Sequence, residues 1–230
     1  MKNEILRQLA EYLACPCTEF EPMTDDDPVL AALRDRTQGI PIAVPADDIL
    51  LEQLTDAQEM SREQLLNAEL PDGRQVLQDL KHAYLHEMDR EEWQELRGQM
   101  ADGECMDRPI SYWDYETEKT QPLVVAQIPT DQPWQVFAWL PMGGWNECPD
   151  PIRMMAVAKY WYEQYGAVPV AVTHDTVEFS VPAPVPTEQA MNLAEEMYFF
   201  CMDIVDQGVE TLGALADGLR QSTHWYFWWD

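Results

Sequence analysis

A chain of 230 residues, 46% of them hydrophobic, can build one large domain or a core domain with a smaller partner. Its 42 acidic and 14 basic residues give a formal charge of −28. That excess argues against the cationic contacts that hold nucleic acid and against anionic membrane surfaces. No run reaches the roughly 18 uninterrupted apolar residues of a membrane-spanning helix, and the charged start Met1-Lys2-Asn3-Glu4 does not resemble a secretion signal, so a cytoplasmic location is expected.

In chain order, Ile5, Leu6, Leu9, Ala10 and Leu13 recur at helical spacing, and Pro16 stops the helix. Cys15-Pro16-Cys17 reads as that helix terminus, too close-set for an ordinary disulfide. The five cysteines (15, 17, 105, 148, 201) are odd in number and irregularly spaced, as befits reduced thiols. Residues 18–28 read as an acidic loop, and Asp25-Asp26-Asp27 within it as a solvated turn. A short strand is expected near 40–44, followed by a helix capped by Asp47 or Asp48. Residues 61–100 read as mainly helical, with a break at Pro71-Asp72-Gly73, and 101–121 as a linker. This divides the chain into a helix-rich N-terminal region, 1–110, and an α+β domain, 122–230.

In the second half, Leu123–Ile128 and Trp134–Leu140 read as strands. Asp150 and Pro151 begin a helix that Gly166 ends. Residues 168–173 and 176–181 form a hairpin around His174-Asp175. In its second strand Val177, Phe179 and Val181 alternate with Thr176, Glu178 and Ser180, which predicts one buried and one wet face. Thr187 caps a long helix carrying Ala190, Leu193, Met197, Cys201 and Ile204, and another helix runs to about Leu219. The terminal Trp225-Tyr226-Phe227-Trp228-Trp229-Asp230 must pack on something, because so large an exposed apolar patch would aggregate. The fold class is α+β, with a small, mostly antiparallel sheet and helices in the C-terminal half.

Four segments, Gly-Gly-Trp-Asn-Glu-Cys-Pro (143–149), Tyr-Trp-Tyr-Glu-Gln-Tyr-Gly-Ala (160–167), Cys-Met-Asp-Ile-Val-Asp-Gln-Gly (201–208) and Trp-Tyr-Phe-Trp-Trp-Asp (225–230), together resemble the bacterial family called domain of unknown function 4253 over about residues 122–230. The resemblance implies no particular activity.

The turn Trp145-Asn146-Glu147-Cys148-Pro149 enters a helix, where free amides attract anions and can lower a thiol pKa. With His174 and Asp175 nearby, Cys148 would form a nucleophilic Cys–His–Asp arrangement. Against this, Glu147 and Asp150 flank the thiol with like charge, and a tight turn with a buried Cys148 explains the same residues. His82 and His86, at i,i+4, could share a metal ion; Glu87 beside them points elsewhere, and two solvated helix histidines are the simpler reading. Asp203, Asp206 and Gln207 lie at a helix C-terminus, where acids need compensation. Asp175, Glu178 and Asp230 could join them in an acidic surface for a cation or a basic partner. No phosphate-binding glycine loop, Gly-x-Ser-x-Gly elbow or zinc quartet occurs.

These observations predict an acidic protein-binding module that takes a basic partner, in the manner of an immunity protein against a basic toxin, with no cofactor. The competing reading is an enzyme or small-ligand or metal-binding protein built on the 145–149 turn and the 174–178 hairpin. The sequence does not fix an oligomeric state.

Overall fold

In the computed structural model, which describes residues 3–56, 59–86 and 88–230, Asn3 caps the first helix, accepting from the amides of Ile5 and Leu6 at 2.9 and 3.2 Å. Met1 and Lys2 of the charged start, Ala57, Gln58, and Glu87 beside the histidine pair lie outside the described residues. Helix α1 (Glu4–Leu13) buries Leu6, Leu9 and Leu13 and ends at a left-handed Ala14, just before Pro16. Strand β1 (Cys17–Phe20) and helix α2 (Asp27–Arg34) take up the two ends of what reads in sequence as an acidic loop. Strand β2 (Ile40–Pro45) is buried throughout, and Asp47 caps α3 (Asp48–Thr55).

The helical stretch that follows divides into α4 (Arg62–Leu66), α5 (Gly73–Leu85) and α6 (Arg90–Arg97), each capped by the Ser or Asp before it. The expected linker contains a small hairpin, β3 (Trp113–Asp114) and β4 (Lys119–Thr120), and leads into β5 (Leu123–Ile128).

The expected strand at Trp134–Leu140 is absent. Pro133–Gln135 forms a 3₁₀ turn and Val136–Trp139 a short helix, α7, whose four residues are all buried. A continuous apolar run has no periodicity to separate the two conformations, and Pro133 suits the first turn of a helix. Beyond it lie α8 (Pro151–Tyr165), β6 (Val168–Val172), β7 (Thr176–Ser180), α9 (Thr187–Phe200), a π-helical turn (Ile204–Val209), α10 (Leu212–Leu219) and β8 (His224–Trp228). Pro186, and not Thr187, occupies the position before α9, and the helix stops at Cys201 short of Ile204.

The main sheet has the order β1-β5-β2-β6-β7-β8. Every pairing is antiparallel except β2 with β6, which run parallel through Ala43 and Ala171. The fold is α+β, but its sheet crosses the boundary placed between residues 110 and 122. Both neighbours of β5 come from the first half of the chain. One face, carrying Ile42, Val44, Val124, Ala126 and Phe179, joins α1, α8 and α9 in the larger core. The opposite face, with Ala43, Val125 and Ala171, lies against Val29 and Leu33 of α2 and against Tyr112.

Trp161 of α8 is fully buried at the centre of an aromatic cluster. Its ring centroid lies 4.9 Å from Phe200, 5.2 Å from Phe227, 5.8 Å from Trp225 and 5.9 Å from Phe179, within the range of favourable ring pairs. The aromatic C-terminal segment is therefore packed, as β8 against β7.

Because β5 draws both its ladders from β1 and β2, residues 122–230 expressed alone should lack a cooperative thermal transition by near-ultraviolet circular dichroism, whereas the whole chain should melt in one step. A sharp, native-like melt of the fragment would contradict this.

Candidate functional site

The parallel strands β2 and β6 deliver their following residues to the same end of the sheet. Asp47 follows β2, and His174 and Asp175 follow β6. One oxygen of Asp47 caps α3 at the amide of Leu50, 2.9 Å away, while the other meets the His174 backbone amide at 2.9 Å and its ring Nδ1 at 2.7 Å. On the other side of the ring, Nε2 lies 3.3 Å from Asp175 Oδ2. Asp175 is itself fixed: its Oδ1 accepts from the hydroxyls of Thr173 (2.8 Å) and Thr176 (3.0 Å), and its Oδ2 from the indole of Trp228 (3.1 Å).

These groups line an open cleft of about 460 Å³. Trp113, Tyr115, Tyr226 and Trp228 contribute aromatic surface to it, and Asp48 adds a third carboxylate; among the described residues that line it, none is Lys or Arg. Burial pushes the Tyr226 phenol up to about 12, and the nearby Glu178 and Asp175 carboxylates push in the same direction while a hydrogen bond with Thr176 opposes them. The phenol is therefore neutral at physiological pH. Asp47 thus fixes the orientation of the His174 ring through Nδ1, and Nε2 faces Asp175.

The cleft wall that carries Ser111, Trp113 and Tyr115 is tied down from below. Glu178, fully buried, accepts from the backbone amides of Ile110 (3.0 and 3.1 Å) and Ser111 (2.8 Å) and contacts His224 Nε2 at 2.6 Å. The expected wet face of β7 is thus covered. Thr176 and Glu178 are both buried, and the segment before β3 folds over Glu178.

The other predicted residues lie elsewhere. Cys148 is 4% exposed, and burial, together with Cys201, holds its thiol above the usual range. His174 bonds to Asp47 and lies 3.3 Å from Asp175, and no hydrogen bond among the described residues joins Cys148 to a histidine. The nucleophilic Cys148–His174–Asp175 arrangement is corrected accordingly. Within the 145–149 turn the Cys148 amide is occupied, donating to the Trp145 carbonyl, and the preceding Gly144 amide donates to the Cys148 carbonyl, each at 3.0 Å. Asp150 takes the α8 amides of Ile152 and Arg153, so a carboxylate already fills the place an anion would need. Trp145 is half-buried and Glu147 exposed.

The expected acidic surface divides. Asn146, Asp203, Gln207 and Asp230 do come together: Asn146 donates to the Asp230 carbonyl, the Asp230 amide to Asp203 at 3.0 Å, and Gln207 to Asp203 at 2.8 Å. Asp206 turns instead to the Tyr198 hydroxyl at 3.4 Å, and burial raises its carboxyl pKa. Asp175 belongs to the cleft and Glu178 to the interior.

His82 and His86 lie exposed at the end of α5. The group of three ligand-type side chains found close together among the described residues is Asp25, Asp26 and Asp27. Asp26 is 5% exposed, bonded to the Tyr112 hydroxyl at 3.0 Å and near Arg108 at 3.4 Å, so this turn is not simply solvated.

Sequence reasoning missed Asp47 as a partner of His174, and with it Ser111, Trp113, Tyr115, Tyr226 and Trp228 as one lining. Asp47 was visible only as a helix cap, since no local pattern connects residues 47 and 174.

Residues 124–230 match the family model described as "Domain of unknown function (DUF4253)", which bears out the resemblance carried by the four motif segments. No curated protein and no solved structure matched the chain. The matched stretch supplies His174, Asp175, Tyr226 and Trp228 to the cleft, while Asp47, Trp113 and Tyr115 come from outside it.

Replacing Glu178 with Ala strands His224 and two amides in the interior, and should cost about 3–5 kcal/mol in urea unfolding. A loss confined to the surface range of about 0.5 kcal/mol would show that the buried pair does not hold the cleft wall.

Proposed function

We propose that this protein is an acidic recognition module that takes a cationic side chain, Arg or Lys of a basic protein partner, into the cleft between Asp47, His174, Asp175 and the four aromatic residues. The observation that carries this reading is the convergence of three carboxylates and four aromatic side chains in a cleft with no Lys or Arg among its described lining. A cation over an aromatic face gains about 0.5–2 kcal/mol, more as water is excluded, and adjacent carboxylates add charge-assisted hydrogen bonds. The overall charge of −28 draws a basic partner in from a distance.

A basic toxin such as a nuclease, neutralised in the manner of an immunity protein, carries side chains of this kind. A volume of about 460 Å³ suits a side chain or a short segment better than a folded element. Phosphate-bearing ligands are disfavoured by the same charges.

Titration with an Arg-rich peptide at low salt should change the intrinsic tryptophan fluorescence, weaken as salt is added, and have no counterpart with a Glu-rich peptide. Asp48 and Tyr115 are exposed, so Asp48→Asn and Tyr115→Ala should leave the fold intact, yet each should weaken binding by about three- to tenfold. Equal affinity in both variants, or no response to the basic peptide, would overturn the proposal.

A further inference from the structure

The main sheet ends at β8, whose one neighbouring strand is β7. In an antiparallel ladder, alternate residues turn their amide and carbonyl groups toward the neighbour, and those between turn theirs away. The Val181 amide donates to the Thr223 carbonyl at 2.9 Å and the Trp229 amide to that of Asp175 at 3.1 Å, which sets the alternation. Trp225 and Phe227 therefore face β7, and the backbone groups of His224, Tyr226 and Trp228 face the outer edge.

Both ends of that edge are closed. The Met106 carbonyl accepts from the Thr223 amide at 3.1 Å where the strand begins. Where it finishes, the Cys201 thiol donates to the Trp228 carbonyl at 2.9 Å and the Asp230 amide to Asp203 at 3.0 Å. Between them, the amides and carbonyls of His224 and Tyr226 and the amide of Trp228 have no hydrogen-bond partner among the described residues. A row of such groups is a template for one more strand.

Beside the edge, walled by the π-helical turn and α10, lies a pocket of about 210 Å³ lined by Met197, Ile204, Val209, Leu215, Leu219 and Trp225. It is smaller than the roughly 300–1,000 Å³ of a whole-ligand site and suits a single apolar side chain. Glu104 and Asp203 give it carboxylates, and its described lining contains no Lys or Arg. Tyr226 and Trp228 line both this pocket and the acidic cleft, so the two sites share a wall.

We propose that the basic partner adds an extended segment to β8 as a seventh strand of the main sheet, with cationic and apolar residues alternating along it. This rests on the reading of the cleft as a site for cationic side chains. Successive side chains of a strand point to opposite faces. One set falls on the face of Tyr226 and Trp228, beside Asp175 and the cleft, where Arg is favoured. The other falls on the face of Trp225, where the apolar pocket receives it. Main-chain bonds to the edge give affinity, and the alternate pockets give specificity. A second copy of this chain is a poor occupant, because its own charge of −28 would be repelled.

The test titrates the full chain calorimetrically at low salt with the acetylated, amidated peptide Arg-Leu-Arg-Leu-Arg-Leu-Arg. Two further peptides carry backbone N-methyl groups, one at every Arg and the other at every Leu. Methylation removes amide donors along one edge of the bound strand and leaves the charge intact. One methylated peptide should bind about tenfold or more weaker, and the other within about twofold of the parent, since only one edge of the added strand meets β8. Hydrogen exchange of the Tyr226 amide should slow by about tenfold when the parent peptide is bound. Equal affinity of the two methylated peptides, or unchanged exchange at Tyr226 in the complex, would overturn strand addition. If Asp48→Asn still weakens the parent peptide in that case, the cleft reading stands without it. Absence of binding by all three peptides would overturn both.

Discussion

The alignment of β2 with β6 is the constraint on which the rest of this structure depends. It is the one parallel pairing in the main sheet, and it joins strands from the two halves of the chain. Parallel strands end at the same edge, so Asp47 and His174, far apart in sequence, emerge as neighbours. An antiparallel join would place them at opposite ends of the sheet. The small side chains at the seam, Ala43 and Ala171, are both fully buried and leave room for Tyr112 and α2 to pack over it.

A second layer of organisation lies beneath the cleft. Glu178 and His224 meet at 2.6 Å with almost no solvent exposure, an arrangement that is costly unless the remaining polar contacts are satisfied. The backbone amides of Ile110 and Ser111 supply those contacts. The consequence is geometric: the segment leading to Trp113 and Tyr115 is fixed at the sheet, and the aromatic wall of the cleft has a defined position. Trp228, through its bond to Asp175, ties β8 to the same place. The cleft thus draws on five separated stretches of chain, near residues 47, 111, 121, 174 and 226.

Acidity has different consequences at different places in this fold. Asp47, Asp72, Asp89 and Asp150 cap helices, where negative charge is favourable. Asp26 and Glu178 are buried and individually partnered. Asp48 and Asp175 line the cleft. A net charge read from composition mixes these populations, which is why the acids near the C-terminus look like one surface in sequence and separate into a terminal cluster, a tyrosine contact, a cleft residue and an interior anchor in space.

Local chemistry was written plainly in the sequence. Asp150-Pro151 and Gly166 bound a helix, the apolar 40–44 run is a strand, residues 168–181 form a hairpin, and the terminal aromatic run had to be packed. Each depends on interactions within a few residues, so each was legible. Trp134–Leu140 was not, because an unbroken apolar run is compatible with either conformation, and burial against α8 and α4 settles the matter. The partnership of β5 with β1 and β2, the burial of Glu178 and the meeting of Asp47 with His174 were decided only by tertiary structure. Each is a contact between residues with no local pattern in common, and such contacts exist only once the sheet has brought distant strands together.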